Sequence, residues 1–242
     1  MNEKLLTLSD HAPIDAISHQ FLTEVRSGQP HGRTRELLST LSPARLTQIG
    51  DPEKLAFWIN IYNAAVQAAL IERPERYENQ RNFFSTPCIT VAGTKLSIDD
   101  IEHGILRRSQ WKYGMGYIRH PFPPRYERHF RVAGRNYRIH FALNCGAASC
   151  PAIRAYTADK IEEQLNLATQ TYLVNETVTD QQTLYIPRLF IWFRGDFGGG
   201  SGIKNILHDH GILDPDATIR IRYNPYDWSM HTGKYHTEVD EQ

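Results

Sequence analysis

Two cysteines and a histidine lie within one short segment of the sequence. This segment, residues 140–151, contains His140, Cys145 and Cys150 among glycine, alanine and serine residues. A thiolate is a strong nucleophile, and small residues let backbone amides approach a ligand closely. The segment therefore predicts thiol chemistry: attack of Cys145 or Cys150 on a carbonyl group, or redox cycling of the two thiols as a pair.

The same two cysteines have other interpretations. Buried cysteines often only fill space at a tight turn. A zinc site is disfavoured, because the spacing of Cys145 and Cys150 is looser than that of tight zinc-binding pairs and no second Cys/His pair follows. We therefore expect no metal and no cofactor. A disulfide between the two would depend on the distance between their sulfurs, which the sequence does not define.

A reactive thiol also needs a base. Residues 135–144 alternate between apolar and polar, which predicts a β-strand. In an extended strand His140 and Cys145 are roughly 16 Å apart and face opposite sides, so His140 cannot be the base for Cys145. It can be the base for Cys150 only if the turn folds the chain back. His103, on a predicted helix, is therefore the preferred base. An Asn or Asp side chain would orient the imidazole.

The residue after the second cysteine suggests how its thiol is activated. Pro151 is favoured at the first position of a helix, which makes Cys150 the predicted N-cap. The positive end of the helix dipole would then stabilise the thiolate. Free amides at the same turn could form an oxyanion hole.

Hydrophobic periodicity and turn residues predict a single-domain α+β fold, with N-terminal helices and a small, mainly antiparallel sheet. The predicted helices cover residues 14–27, 33–49, 51–71, 97–108, 157–174 and 203–209. The predicted strands cover residues 88–91, 95–97, 135–144, 176–179, 184–187 and 218–222. Asp51 is the predicted N-cap of helix 51–71, and residues 109–134 are predicted to be an irregular, proline-rich loop.

Charge is balanced over the whole chain, with 27 Lys and Arg residues against 27 Asp and Glu residues, but it is unbalanced locally. Residues 107–138 contain nine Lys or Arg residues and one carboxylate, Glu127, together with several aromatic residues. This basic segment predicts contact with nucleic acid or another anionic partner, or else a solvated flap.

Hydropathy and cysteine content indicate the cellular compartment of the protein. No run approaches the ~18 consecutive apolar residues that span a bilayer, so we expect no membrane insertion. The first ten residues lack the apolar core of a secretory signal. The chain has 3 cysteines, fewer than a secreted disulfide framework normally uses. The sequence therefore predicts a cytoplasmic protein with reduced thiols.

Five blocks of the sequence resemble motifs of the DUF547 family. They are KLAFWINIYNA at 54–64, IEHGILR at 101–107, HFALNCGAASCP at 140–151, DFG at 196–198 and YDWS at 226–229. The similarity spans roughly residues 50–230 but not the basic insert 109–134. The family is named for having no assigned function. Its relatives include plant proteins that join this domain to glutaredoxin-like or leucine-zipper segments, which implies thiol chemistry or scaffolding.

The matching motifs contain more polar residues than a purely structural role needs, because buried polar groups must be hydrogen-bonded or line a cleft. Asn60 and Asn63 lie on one helix face. We expect them either to orient an imidazole or a substrate carbonyl, or to form a buried amide network. The predicted catalytic residues are Cys145, Cys150, His103, His140, Asn63 and Glu102. The predicted substrate-binding residues are Trp58, Asn60, Asn144, Asp196 and Asp227.

We expect first a cysteine-dependent hydrolase or acyl-transferase, which suits a papain- or transglutaminase-like α+β fold. One alternative is a non-catalytic binding or scaffold module for an anionic or protein partner. The other is a thiol redox protein that uses Cys145 and Cys150. The expected layout is a helical extension over residues 1–49, a DUF547-like domain over 50–230 and a C-terminal tail over 231–242.

Overall fold

The longest helix, α4 (Asp51–Glu72), lies at the centre of the fold. In the computed structural model of the chain, which describes residues 12–214 and 218–236, every side chain of this helix from Leu55 to Ala68 is buried. A helix that is apolar on all sides must be covered on all sides. The amphipathic helix α1 (Ile14–Arg26) packs along it and provides part of that cover.

Short helices and two small sheets surround α4. The other α-helices are α2 (Gly32–Thr40), α3 (Pro43–Thr47), α5 (Gln80–Ser85), α6 (Arg125–Phe130), α7 (Ile161–Glu176), α8 (Leu189–Trp192) and α9 (Gly199–Asp209). The chain also has a π-helix at Asp100–Leu106 and 3₁₀ helices at Pro74–Glu78, Tyr137–Phe141 and Ala158–Lys160. The strands are β1 (Ile89–Val91), β2 (Thr94–Leu96), β3 (Val178–Asp180), β4 (Thr183–Ile186) and β5 (Arg220–Tyr223).

The strands form a hairpin and a mixed three-stranded sheet. β1 and β2 are antiparallel, with Ile89 opposite Leu96. β4 is the central strand of the second sheet and pairs antiparallel with β3 and parallel with β5. The predicted α+β fold is therefore confirmed.

Buried apolar side chains form two clusters. The first surrounds α4 and α1, and the second joins α7, α8, α9 and β4. Ile139 and Ala142 belong to the first cluster and Phe141 to the second, so the 3₁₀ helix Tyr137–Phe141 connects them. No helix within residues 12–214 and 218–236 is both long enough and apolar enough to cross a membrane.

Most predicted helices are present, with ends that differ by a few residues. The predicted helix 33–49 is two helices, α2 and α3. At the start of α4 the N-cap is Gly50 rather than Asp51, so that prediction was wrong. The Asp51 carboxylate instead accepts hydrogen bonds from the amides of Ala133 and Gly134, at 2.7 and 3.0 Å. A tertiary contact therefore replaces the predicted cap.

The prediction of a strand over residues 135–144 is wrong, because this segment forms the 3₁₀ helix Tyr137–Phe141. Alternation of apolar and polar residues indicates a strand only when one face is exposed. Here the consecutive residues 139–141 are all buried. A 3₁₀ helix rises only about 2 Å per residue. The separation expected between His140 and Cys145 in an extended strand therefore does not apply.

The prediction of a helix that begins at Pro151 is also wrong. Residues 147–153 form a turn and an extended stretch beside residues 229–236, and isolated β-bridges join the two segments. The Lys234 ammonium donates a hydrogen bond to the carbonyl of Cys150 at 2.6 Å. A helix would need that carbonyl for its own hydrogen bonds. Cys150 is therefore not a helix N-cap, and the helix-dipole argument does not apply to its thiol.

Candidate functional site

A cavity of about 600 Å³ lies between the two hydrophobic clusters. Tyr62 of α4 lies on one side, and Leu189 of α8 on the other. Most of the lining is aromatic or aliphatic, which favours a ligand with an apolar body. The polar lining residues are Asp99, Glu102, His103, Lys112, His140, Cys145, Cys150 and Arg188. All the predicted catalytic residues except Asn63 therefore meet in one cavity.

The sulfurs of Cys145 and Cys150 are in direct contact in the cavity wall. Their Sγ atoms are 2.7 Å apart, and both residues are free thiols. The Tyr226 hydroxyl contacts both sulfurs, at 3.2 Å from Cys150 and 3.5 Å from Cys145. The backbone N–H of Cys145 also donates to the Cys150 sulfur, at 3.0 Å. The Cys150 sulfur therefore accepts more hydrogen bonds than the Cys145 sulfur does.

These contacts give the two thiols different pKa values. Burial raises the pKa of the Cys150 thiol, but hydrogen bonds from the Cys145 thiol, the Tyr226 hydroxyl and backbone amides outweigh burial and lower the pKa to about 7. The hydrogen bond with Cys150, together with burial, raises the pKa of Cys145 well above its usual value. Cys150 therefore ionises first and Cys145 keeps its proton. A thiol with a pKa near neutrality is typical of reactive cysteines.

The loop between the cysteines turns tightly because its residues are small. Gly146 has a φ of +90°, and a Cβ atom there would lie 2.6 Å from Cδ1 of Leu70. Only glycine fits such a position. The N–H of Cys150 donates to the carbonyl of Ala147 at 3.0 Å and closes the turn. The turn therefore returns the second sulfur to the first.

Asn63 and Asn144 hold the cysteine loop and do not line the cavity. Asn63 donates to the carbonyl of Ala142 at 3.0 Å and accepts the N–H of Asn144 at 2.9 Å. The Asn144 side chain accepts the N–H of Gly146 at 2.9 Å and donates to the carbonyl of Pro151 at 2.7 Å. Both side chains are buried, and the hydrogen bonds of Asn63 match the buried amide network that was one interpretation of Asn60 and Asn63. They position the loop.

Three other predicted substrate-binding residues also lie outside the lining. Asn60 is buried and bonds both the N–H and the carbonyl of Tyr156, at 2.9 and 2.8 Å. Trp58 is fully buried in the first cluster. Asp227 accepts the N–H of Ser229 at 2.8 Å. We therefore assign no substrate contact in this cavity to Trp58, Asn60 or Asp227.

His140 and Asp196 form a hydrogen-bonded pair beside the cavity. Nε2 of His140 donates to Oδ2 of Asp196 at 2.9 Å, and the ring stacks on Phe193 with centroids 3.9 Å apart. Arg107 and Arg135 also donate to this carboxylate, at 2.6 and 2.9 Å. Burial raises the pKa of Asp196, but the hydrogen bonds from His140 and Arg107 outweigh it and hold the pKa well below its usual range. Asp196 therefore orients the imidazole and is not itself a lining residue.

Burial favours the neutral form of both imidazoles because it lowers their pKa values. Burial lowers the pKa of His140 in spite of its bond to Asp196. Burial and the positive charge of Arg107 lower the pKa of His103 well below its usual value. Nη1 of Arg107 lies 2.9 Å from Nδ1 of His103, and Nε2 of His103 faces Asp99 at 3.6 Å. Because the guanidinium can only donate, His103 accepts at Nδ1 and carries its proton on Nε2. The geometry therefore does not support the preference for His103 as the base.

Glu102 is a carboxyl group that titrates near neutral pH. It precedes His103 on the π-helix Asp100–Leu106, and both residues line the cavity. The Tyr62 hydroxyl donates to Glu102 at 3.1 Å. Burial raises the pKa of Glu102 to about 7, although the charge of Arg107 opposes the shift. The carboxyl group can therefore give or take a proton in the cavity under physiological conditions.

The sequence analysis did not identify Tyr62, Arg107 and Tyr226 as site residues. All three lie inside the blocks that it singled out, and two of them are neighbours of chosen residues, Asn63 and Asp227. The blocks therefore contain these three residues as well as the predicted ones. Tyr62 and Tyr226 line the cavity, whereas Arg107 contacts His103 and Asp196. Only the tertiary structure defines these positions.

The third cysteine, Cys88, is separate from the Cys145–Cys150 pair. Cys88 lies outside this cavity, and burial raises its pKa to about 11. Among the residues that the structure describes, no group of three or more His, Cys, Asp or Glu side chains could hold a metal ion.

We expect Tyr226→Phe to raise the pKa of the Cys150 thiol by about one to two units. A hydrogen bond to a charged group contributes about 1.5–3 kcal/mol, and one pKa unit corresponds to about 1.4 kcal/mol. The rate of iodoacetamide alkylation as a function of pH, followed by peptide mass, measures the shift. Tyr223→Phe is the matched control, because the Tyr223 hydroxyl contacts Arg194 and not the sulfurs. Identical alkylation profiles for the two variants would show that the Tyr226 hydroxyl does not stabilise the thiolate.

Comparison with known proteins gives one match. A family model described as "Protein of unknown function, DUF547" matches residues 46–173, which include α4, the π-helix and the cysteine loop. No curated protein and no solved structure matches the chain.

Proposed function

We propose that this chain, which belongs to the DUF547 family of proteins of unknown function, is a thiol-dependent redox enzyme that cycles between a dithiol and a disulfide at Cys145 and Cys150. One observation carries the proposal: the two sulfurs are 2.7 Å apart in the wall of a ligand-sized cavity. One thiol has a lowered pKa and the other a raised one. Disulfide exchange requires such a pair, with a nucleophilic thiolate and a second thiol that resolves the intermediate.

The contacts of the sulfurs favour redox chemistry over acyl transfer. The nucleophile of a cysteine hydrolase needs an imidazole within hydrogen-bond reach. In the described part of the chain, neither His103 nor His140 forms a hydrogen bond with either sulfur. The polar contacts of Cys145 and Cys150 are instead each other, the Tyr226 hydroxyl and the amides of the loop.

The reaction that suits this pair is exchange with a disulfide. The Cys150 thiolate attacks one sulfur of a substrate R–S–S–R, so a bond between Cys150 and R–S forms while R–S⁻ leaves. Cys145 gives its proton to that leaving thiolate and attacks the sulfur of Cys150. The Cys145–Cys150 disulfide forms and a second R–S⁻ leaves. The substrate gains two electrons and the pair loses two. A separate dithiol reductant then returns two electrons and two protons, of which one restores the Cys145 thiol and the other protonates the second R–S⁻.

Two neighbouring groups support the proton transfers. Burial and the adjacent cysteines raise the pKa of Tyr226, so its hydroxyl stays protonated and donates to the thiolate. Glu102, with its pKa of about 7, lies in the same cavity and exchanges protons with leaving thiolates. The mainly apolar lining favours a small organic disulfide as the substrate.

Reaction with dithiobis(nitrobenzoate), an aromatic disulfide, tests the proposal. The Cys88→Ser protein, which lacks the third thiol, should release two equivalents of thionitrobenzoate and retain no adduct, because Cys145 resolves the first mixed disulfide. Cys145→Ser in the same background should release one equivalent and keep the aromatic group on Cys150. Absorbance gives the released thiolate, and the intact protein mass gives the adduct.

The matched variant is Cys150→Ser in the same background. Its remaining thiol lacks the contacts that stabilise the Cys150 thiolate, so we expect a slower reaction at pH 7 and again one equivalent. A stable nitrobenzoate adduct on the Cys88→Ser protein would refute the proposal, since the second thiol would then not attack the first.

A cysteine-dependent hydrolase or acyl-transferase is the second candidate, and the His140–Asp196 pair favours it. An imidazole that is oriented by a carboxylate provides the base and the third member of a catalytic triad, and His140 lines the same cavity as both sulfurs. Cys145→Ser separates the two candidates. Hydrolysis of a nitrophenyl ester through Cys150 needs one thiol and persists in this variant, whereas disulfide cycling needs both thiols and is lost.

A further inference from the structure

The loop over residues 111–122 exposes an unusual amount of apolar surface. Phe122 is 85 % exposed and Ile118 is 51 % exposed. The other large exposed apolar or aromatic side chains of this loop are Trp111, Tyr113, Met115 and Tyr117. Soluble proteins rarely display so many large apolar side chains in one short segment unless the surface binds something.

The backbone of the 111–122 loop is nevertheless firmly held. The N–H of Trp111 donates to the carbonyl of Ile118 at 2.9 Å. The N–H of Gly195 donates to the carbonyl of Met115 at 2.7 Å, and Arg135 donates to the carbonyl of Gly116 at 2.9 Å. The apolar side chains are therefore displayed on an ordered backbone, as in a preformed binding surface.

Four arginines lie together at the base of this loop: Arg108, Arg119, Arg128 and Arg131, which we call the arginine cluster. The N–H of His120 donates to the carbonyl of Ser109 at 2.8 Å, so the two ends of the loop, which carry Arg108 and Arg119, lie side by side. Arg131 donates to the Ser109 hydroxyl at 3.0 Å, and Arg128 lies nearly one turn earlier on α6.

Within the part of the chain that the structure describes, the charges of the arginine cluster are not neutralised by ion pairs. Burial and the positive charges of Arg108, Arg119 and Arg128 lower the pKa of Arg131, although Glu127 opposes the shift. No carboxylate in the described ranges forms an ion pair with any of the four guanidinium groups. Close like charges without a partner are unfavourable, and an anionic surface would relieve that repulsion.

We propose that the 111–122 loop and the arginine cluster dock this protein on the surface of an anionic lipid bilayer. Exposed aromatic and aliphatic side chains partition into the headgroup region, where Trp and Tyr rings are favoured. Nearby arginines bind the lipid phosphates, each with about 1 kcal/mol. The protein rests on the bilayer and does not span it.

The cavity gives a reason for a bilayer as the partner. Tyr113 and Met115 belong to the 111–122 loop and also line the cavity that contains the cysteines. A loop that enters the headgroup region would bring the cavity close to the bilayer, and an apolar molecule could then pass from the lipid into the site. The exposed aliphatic side chains of Met115 and Ile118 add nothing to the stacking on which nucleic-acid binding relies. The inference stands without the redox proposal.

Sedimentation with sucrose-loaded vesicles tests the proposal. We expect the full chain to bind vesicles of phosphatidylglycerol and phosphatidylcholine and to bind pure phosphatidylcholine vesicles at least tenfold more weakly. Arg119→Gln should weaken binding to the anionic vesicles by about fivefold. Ile118→Ser combined with Phe122→Ser should weaken it by about tenfold or more.

Matched controls test surface specificity. Ile71→Ser, an isoleucine of α4 that is 61 % exposed, and Arg220→Gln on β5 should leave vesicle binding unchanged. All the substituted side chains are exposed, so the variants should stay folded by circular dichroism, and all lie outside the candidate active site. Three results would each overturn the proposal. They are equal binding to anionic and neutral vesicles, no binding to either, and tighter binding to a single-stranded oligonucleotide whose affinity Ile118→Ser does not change.

Discussion

The Asp196→Asn variant is expected to be about 3–5 kcal/mol less stable than the wild-type protein at pH 7. The Asp196 side chain is 3 % exposed and accepts hydrogen bonds from Arg107, Arg135 and His140. Asparagine has nearly the same size but no charge. The guanidinium of Arg107, in a residue that is 1 % exposed, would then be buried without its counter-charge. Removal of one partner from a buried ion pair typically costs this amount.

Urea unfolding of the variant at pH 7, with circular dichroism as the signal, measures this loss. Asp209→Asn is the control, because Asp209 is an exposed carboxylate at the end of α9. We expect its unfolding midpoint to match that of the wild-type protein. A loss below about 1 kcal/mol for Asp196→Asn would mean that the Arg107 charge is compensated in another way.

The pH range of the effect follows from the direction of the Asp196 shift. The folded-state pKa of Asp196 lies below its unfolded value of about 3.9. The carboxylate therefore contributes its full stabilisation above about pH 4 and loses it as the pH falls towards the folded-state pKa. The stability difference between wild type and Asp196→Asn should be constant from about pH 5 to 8 and should shrink only in strong acid.

Glu102→Gln is expected to stabilise the protein by up to about 3 kcal/mol at pH 8 and to have little effect at pH 4. Burial raises the folded-state pKa of Glu102 from 4.5 to about 7. Between these values the folded state holds a proton that the unfolded state has lost, so wild-type stability falls as the pH rises. A shift of this size corresponds to about 3 kcal/mol. Glutamine keeps an oxygen for the Tyr62 hydroxyl but never ionises.

Unfolding free energies of wild type and Glu102→Gln, measured at several pH values from 4 to 8, check this sign. The difference should grow between about pH 4.5 and 7 and then remain constant. Glu163→Gln, an exposed residue of α7, serves as the control and should follow the wild-type curve. A pH-independent difference would show that Glu102 ionises in the folded protein as it does in water.

The sequence predicted much of the helical framework and the region of the site. The buried helix α4 has an uninterrupted apolar pattern, and proline and glycine residues limit its ends, so local rules are sufficient. The cysteines, His103, His140 and Glu102 stand in recognisable blocks, and all five line one cavity. Local pattern and motif resemblance together therefore selected residues that the fold brings to one cavity.

The sequence could not predict what depends on contacts between distant residues. Residues 135–144 alternate like a strand, but residues 139–144 are all buried, and Asp196 provides a partner for the buried His140. Pro151 begins no helix, because Lys234, far along the chain, binds the carbonyl of Cys150. Tertiary contacts of this kind override local propensity.

The two buried histidines also illustrate this limit. Sequence spacing made His103 the preferred base, since it could not reveal that Arg107 engages its Nδ1 atom and also binds Asp196. One buried arginine thus links both imidazoles. Its position explains why His103 carries its proton on Nε2. Together with His140, Arg107 also holds the pKa of Asp196 below its usual range.

The most direct test of the central claim is a redox titration of Cys145 and Cys150. The Cys88→Ser protein would be equilibrated with reduced and oxidised glutathione at varied ratios, quenched with acid and alkylated, and its peptides analysed by mass. We expect a single two-electron transition in which both thiols disappear together and one peptide pair linked by a Cys145–Cys150 disulfide appears. Two thiols that stay reduced, or that acquire glutathione separately without forming this link, would contradict the account.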